Sequence, residues 1–252
     1  MNPVVLTFLG ASGPYGGSDD LPSVLVSWGK KHILVDAGEG VQHRLHEVGR
    51  SVSSLTHVLI SHLHGDHVLG LIPLLQSRSL AGSEDELIVV GPPGITNYLR
   101  ESFGFLHFSP SFPHRVAEVE EGELDLGSFT VRAGKGIHSV TVLAFRIALG
   151  PVSICYVTDT RPFPEEVGLC EGVDVLIHEA AFHSRDRELA EEYLHSTARE
   201  AAEVADACGA GMLILYHRSP RYKDVGVLLE DAKSVFRNSV VASRYMKIYL
   251  RK

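Results

Sequence analysis

Cysteine is scarce in this chain, and its shortage removes one class of protein at once. Cys155, Cys170 and Cys208 are the three cysteines among 252 residues. They are scattered and lack metal-ligand spacing, so neither a disulfide-built scaffold nor a thiolate metal site is expected; the sequence predicts reduced thiols packed as small buried side chains. Long apolar runs are missing as well, which excludes a helix that spans a bilayer. The opening MNPVVLTFLGASG has no basic segment followed by a long apolar stretch, so no secretory leader is read and a cytoplasmic location is expected. Positive charge is also short: 23 Lys and Arg face 31 Asp and Glu, a net charge of -8. No global field favours a phosphate backbone, so nucleic-acid binding would need a local patch, and a small substrate is the simpler expectation.

What the chain does contain is an ordinary core and an unusual number of imidazoles. Hydrophobic residues make up 44% and charged residues 21%, a balance that buries a core, and the length fits one domain over residues 1–252. Fourteen histidines are many for this length and point to metal or acid–base chemistry.

Short strands and turns open the chain at VVLTFLG, SVLVSWG and KHILVDAG, followed by a helix over Val41–Val48 and a strand at THVLIS. Residues 65–80 carry Val68, Leu69, Ile72 and Leu75 near helical spacing, with Pro73 set to kink or delay that helix. A strand at ELIVVG and a helix near Ile95–Phe103 come next. Phe105–Pro113 reads as a loop, either over a site or a plain surface connection. A second strand-rich half follows: HRVAEVEEG, SFTVRAGKG, VLAFRIALG, SICYVTD and DVLIHEAAF. His195 then precedes Thr197-Ala-Arg-Glu200, a capping-box pattern that opens a helix ending at Gly209. MLILYHRSPRY, an amphipathic helix around Val227–Phe236 and a strand at MKIYL close the chain. Two strand-rich halves with helices predict two packed sheets with helices outside.

The densest chemistry lies in SHLHGDH. His62 and His64 are two apart at the end of an extended run, so they leave the same face and can grip one ion. Gly65 permits a sharp turn, after which Asp66 and His67 can face a neighbouring position and a second ion. Neither pair closes a site alone. Three later residues, His138, Asp159 and His217, each follow an apolar run and precede a loop, and they are the candidates to complete both. A bridging Asp159 would hold two cations about 3.5–4 Å apart, close enough to ionise a water near neutral pH. Imidazole and carboxylate ligands suit zinc and its neighbours, manganese included. His178 and His57 read as buried, hydrogen-bonded histidines, and Asp36 and Glu39 as supports for the loop beneath the ions.

Taken in order, FLGASG, DAGEGVQHRL, SHLHGDH, GIH, YVTDTRP, HEAAF, HSTAREAA and LILYHRSPRY resemble the metallo-β-lactamase superfamily and, within it, the ribonuclease Z-like branch. The resemblance implies an α/β fold, the four-layer αββα sandwich of two mixed sheets flanked by helices, with two divalent ions at one edge. It assigns His62, His64 and His138 to one ion, Asp66, His67 and His217 to the other, and Asp159 to both. It also implies that Asp66 orients the attacking hydroxide and that His195, partnered by Glu179, protonates or stabilises the leaving oxygen. Ser219 and Arg221 sit where they could touch a phosphate, and equally read as a surface turn. A homodimer is implied by the resemblance alone.

The chain departs from that branch in two places. ALGPVSICYVTD runs almost directly from strand to strand through Gly150 and Pro151, where ribonuclease Z enzymes carry a long arm that grips transfer RNA. Val142, Ala144 and Phe145 stand where the branch tends to show a serine and a Gly-Tyr pair. These departures favour a dinuclear phosphodiesterase acting on a small or cyclic phosphodiester or nucleotide. Transfer-RNA 3′ processing is the alternative, a lactone or thioester hydrolase a further one, and a non-catalytic metal scaffold the last.

Overall fold

Residues 2–14 and 19–251 are described by the computed structural model. Among them, apolar residues repeat along short segments and pair into two seven-stranded sheets. The first sheet contains β1 (Val4–Gly10), β2 (Ser23–Trp28), β3 (Lys31–Val35), β4 (His57–Leu59), β5 (Leu87–Gly91) and β6 (His114–Glu118). The second contains β7 (Gly122–Asp125), β8 (Thr130–Lys135), β9 (Leu143–Leu149), β10 (Val152–Val157), β11 (Val175–Glu179), β12 (Leu213–Tyr216) and β13 (Ser239–Val241). The last strand, β14 (Lys247–Leu250), returns to the first sheet and pairs antiparallel with β1, Val4 opposite Leu250.

Both faces of the central strands of each sheet are buried, which is why those strands read as apolar runs more than as alternations. Between the sheets lie Phe8, Val26, Phe145, Ile154, Tyr156 and Tyr216. The outer face of the first sheet is covered by α1 (Val41–Glu47), α3 (Leu71–Leu80) and α4 (Ile95–Phe105), through Leu45, Leu74 and Leu99. The outer face of the second is covered by α5 (Glu166–Leu169), α7 (Ala198–Ala207) and α8 (Gly226–Lys233), through Leu169, Ala202 and Leu228, and the short α6 (Arg187–Glu192) leads into α7. The four layers follow in the order helix, sheet, sheet, helix, as expected for the αββα sandwich.

Several details differ from the sequence reading. The helix expected over residues 65–80 is two helices, α2 (Gly65–Val68) and α3, broken at Leu69 and Gly70. Gly70 sits so tightly on the neighbouring loop that a Cβ there would lie 2.1 Å from the Gly38 carbonyl oxygen, so only glycine fits. Pro73 falls in the first turn of α3, where no backbone N–H is needed, and kinks nothing. HRVAEVEEG does not open the second sheet; its first residues form β6 at the edge of the first. Within the loop expected at Phe105–Pro113, Phe105 ends α4 and Phe112 is buried under the Arg78 guanidinium of α3. Cys155 and Cys170 are paired as a disulfide, with Cα atoms 5.6 Å apart, which corrects the expectation of reduced thiols. The end of α5 packs against β10 and closes a gap of 15 residues that sequence spacing gave no sign of. Cys208 is a buried free thiol, as expected.

Arg78 shows how this side of the molecule is held. It is fully buried on α3 and donates to the carbonyls of Val52 (2.9 Å), Leu55 (3.0 Å) and Asp85 (2.9 Å). Arg78→Met removes three charge-assisted donors and leaves their acceptors buried, so it should lower unfolding free energy by about 3 kcal/mol in a urea titration. A loss below about 1 kcal/mol would contradict this account.

Candidate dinuclear metal centre

The chemistry-bearing side chains sit where strands end. β3 and β4 run parallel, as do β10, β11 and β12. Asp36 follows β3, His62 and His64 follow β4, Asp159 follows β10, Glu179 ends β11 and His217 follows β12. These carboxyl ends share one edge of the sandwich, the position in which α/β sheets collect ligands.

At that edge two triads converge. His62, His64 and His138 place one ligand atom each within 4.8 Å of one another, and so do Asp66, His67 and His217. Asp159 lies between them. Its Oδ2 is 3.1 Å from His67 Nε2 and 3.4 Å from His217 Nε2, and it also groups with His62 and His67. Asp66 Oδ2 is 3.3 Å from His217 Nε2 and 3.5 Å from His67 Nε2. The turn at Gly65 therefore does send the two halves of SHLHGDH to different positions.

The donor set fits two cations. His62 Nε2 is buried without a hydrogen-bond partner, and His138 Nε2 faces His64 Nδ1 at 3.3 Å. A cation between these nitrogens satisfies the His62 lone pair, which has no other partner, and replaces the His64–His138 contact. Burial, with repulsion from His67, holds the His62 pKa well below its ordinary value and keeps that ring neutral. Burial opposes the charged form of Asp159, but the facing His217, His67 and His62 hold its carboxyl well below the usual range. Burial likewise opposes charge on His67, yet Asp159 and Asp36 raise its pKa well above the ordinary value. Without a cation, then, a proton on His67 balances the carboxylates.

Backbone strain concentrates here. Among the described residues, seven non-glycine positions have positive φ, and four are Asp36 (58°), Asp159 (47°), Leu194 (58°) and His217 (45°). Such conformations persist where the surrounding structure overrides local preference. At Leu194 the twist brings its carbonyl oxygen 3.2 Å from His138 Nδ1.

Beneath the triads, the fully buried Asp36 accepts from Ser61 N (2.7 Å), Ser61 Oγ (2.8 Å), His67 Nδ1 (2.7 Å) and the Tyr156 hydroxyl (2.7 Å). It is the support expected under the ions. Glu39 reaches the same loop through its backbone alone, accepting from Arg44 at 2.7 Å. His195 borders both triads, its Nδ1 3.0 Å from Glu179 Oε2 and 4.0 Å from Asp159 Oδ1. Burial would lower its pKa, but the buried Glu179 carboxylate raises it to about 9. The His195 carbonyl accepts from Arg161 at 3.0 Å, and Arg161 also pairs with Glu200 of the capping box that starts α7. His178 is buried between Glu166 (2.6 Å) and the Glu179 carbonyl (2.7 Å), away from both triads, as expected. His57 is buried too, with Nδ1 on the Thr56 hydroxyl.

Ser219 and Arg221 lie on the wall of a cavity of about 500 Å³ that also exposes His195 and His217. Ser61, Tyr156 and Arg161 escaped the sequence reading. Ser61 directly precedes the first ligand histidine and Arg161 lies in DTRP, so adjacency was an available signal for both. Tyr156 gave none, because in sequence it is one more apolar strand residue.

A family model described as a β-lactamase superfamily domain matches residues 31–218, and the chain belongs to the metallo-β-lactamase superfamily. Within it the chain is a ribonuclease Z-like, metal-dependent hydrolase. It is 32% identical to a Ribonuclease Z of Methanothermobacter thermautotrophicus over 98% of this chain and 96% of that one. It is also 33% identical to one of Gloeothece citriformis over 83% of each. Among solved structures, the metallo-β-lactamase fold protein YhfI of Bacillus subtilis superposes with a TM-score of 0.86 at 27% identity, covering 98% of this chain and 100% of that chain. The short form of human tRNase Z superposes with 0.84 at 27%, covering 97% and 98%. The Methanothermobacter alignment runs over 296 positions, more than the 252 residues present here, so that relative carries segments this chain lacks.

Two outcomes follow. Tyr156→Phe removes one donor to Asp36, and the loosened His67 should weaken divalent-metal binding about tenfold in a chelator competition with the fold intact. Metal binding must displace the His67 proton. Calorimetry at pH 7 in buffers of different ionisation heat should therefore show net proton release, with apparent affinity rising as pH rises; uptake without proton release would contradict the assignment.

Proposed function

We propose that this protein is a dinuclear phosphodiesterase, and that its substrate is the 3′ region of an RNA precursor, the reading that its relatives named Ribonuclease Z support better than the small phosphodiester the sequence favoured. The observation that carries the hydrolytic part is the meeting of two ligand triads across Asp159 with the His195–Glu179 pair beside them. In this reading the triads hold zinc, with manganese an acceptable replacement. Bound at the triads, the two ions supply Lewis-acid stabilisation of phosphoryl charge and a water acidic enough to attack near neutral pH.

The protein's own groups then have separate tasks. Asp66, whose Oδ2 faces His67 and His217, accepts a hydrogen bond from the attacking water and aligns it with phosphorus. The water oxygen bonds to phosphorus and releases a proton to solvent as the bond to the leaving oxygen breaks. Glu179 occupies His195 Nδ1, which leaves Nε2 to give its proton to that leaving oxygen. Arg161 and Glu200 hold the turn that carries His195. Ser219 and Arg221 are placed to contact a non-bridging phosphate oxygen from the cavity wall.

A second reading, a small or cyclic phosphodiester, rests on one observation. β9 and β10 are joined directly, with Leu149 opposite Val152 and only Gly150 and Pro151 between them, so no RNA-gripping arm leaves the fold at that point. The reading also carries a cytoplasmic homodimer.

The test pairs a transfer-RNA precursor bearing a 3′ trailer with bis(p-nitrophenyl) phosphate and cyclic nucleotides, on protein loaded separately with zinc and manganese. Cleavage at the trailer boundary supports the first reading, and cleavage confined to small diesters supports the second. Hydrolysis of a lactone or thioester with every diester intact removes both. Asp66→Ala and His195→Ala should each lower kcat by about 10²–10⁴-fold, and Glu179→Gln by less than His195→Ala.

A further inference from the structure

The cavity beside His195 is not explained by phosphate chemistry alone. Its lining includes His195, His217, Ser219 and Arg221. Its aromatic wall is Phe182 and Tyr193, which lie parallel, with an interplanar angle of 10° and centroids 6.3 Å apart. Phe182 is buried at 5% exposure, whereas Tyr193 is 54% exposed. A large ring half exposed in the lining of this cavity offers a flat apolar surface that a planar group can cover.

The wall is rigid. Phe182 N donates to the Ser196 carbonyl at 3.3 Å and the Phe182 carbonyl accepts from Ala198 N at 2.8 Å, tying it to the segment that carries His195. The Arg221 guanidinium lies 5.2 Å from the Phe182 centroid, so the cation is positioned by the same ring that backs Tyr193. An open aromatic face, a guanidinium and the leaving-group histidine thus border one space of about 500 Å³, within the range of small-ligand sites.

We propose that this cavity is a nucleobase subsite, in which Tyr193, backed by Phe182, stacks on the base of a nucleotide that flanks the scissile phosphate. The proposal rests on the phosphodiesterase reading for the position of that phosphate. A π face with a cation beside it suits a nucleotide, whereas an alkyl diester or a lactone offers nothing for the ring to cover. Stacking tolerates any base, because every base has a π face. The subsite therefore selects for a nucleotide and not for a sequence.

Calorimetry on the metal-loaded full chain tests this with two probes, adenosine 5′-monophosphate and ribose 5-phosphate, which share the sugar phosphate and differ in the base. The wild type should bind the nucleotide about tenfold more tightly. Tyr193→Ala should abolish that ratio, and Tyr193→Trp should keep it. Equal binding of the two probes by the wild type, a ratio that survives Tyr193→Ala, or no binding of either would overturn the subsite. The phosphodiesterase reading fails separately: a base preference in a protein that hydrolyses no diester removes the reaction and leaves a nucleotide site, while diester hydrolysis without base preference removes the subsite alone.

Discussion

The arrangement depends on one buried carboxylate. Asp36 follows a strand of the first sheet and is fully buried, yet it accepts four hydrogen bonds: two from Ser61, one from His67 and one from Tyr156 of the second sheet. An unpaired charge at that depth would cost several kcal/mol, so the donors are obligatory. Meeting them fixes the start of SHLHGDH against β3, sets the tautomer and direction of the His67 ring, and joins the two sheets directly beneath the candidate ions. Register between the sheets and geometry of the metal site are therefore one constraint.

Around that centre the site is assembled from strand ends under electrostatic tension. Carboxylates Asp66 and Asp159 are surrounded by imidazoles, of which His62 is kept neutral by burial and His67 is held protonated by the facing carboxylates. The strained backbones at Asp36, Asp159, Leu194 and His217 hold side chains where relaxed loops would not. His195 stands slightly apart, oriented through Glu179 on its ring and Arg161 on its backbone, so its position does not rely on the ions.

Much of this was legible in the sequence because the signals are local. His62 and His64 alternate on a strand, Gly65 turns the chain, and Thr197 with Glu200 forms the capping box that opens α7. The later ligands were readable as polar residues ending apolar runs, and family resemblance grouped them. What escaped depends on packing at long range. β14 joins β1 across the whole chain, the break at Gly70 is imposed by the neighbouring Gly38 carbonyl, and Cys155 meets Cys170 only once α5 is laid against β10. Tyr156 is the clearest case: its hydroxyl serves a carboxylate 120 positions away, and nothing in SICYVTD marks it.

Under the proposed RNA reading, the direct β9–β10 turn and the net charge of -8 leave the substrate to be held without an arm at that turn and with little general attraction. Both readings require the same two-ion centre. Anomalous diffraction from zinc-loaded crystals tests it most directly. The account predicts two peaks per chain about 3.5–4 Å apart, one held by His62, His64 and His138, the other by Asp66, His67 and His217, and both touching Asp159. A single peak, or two peaks that do not share Asp159, would contradict it.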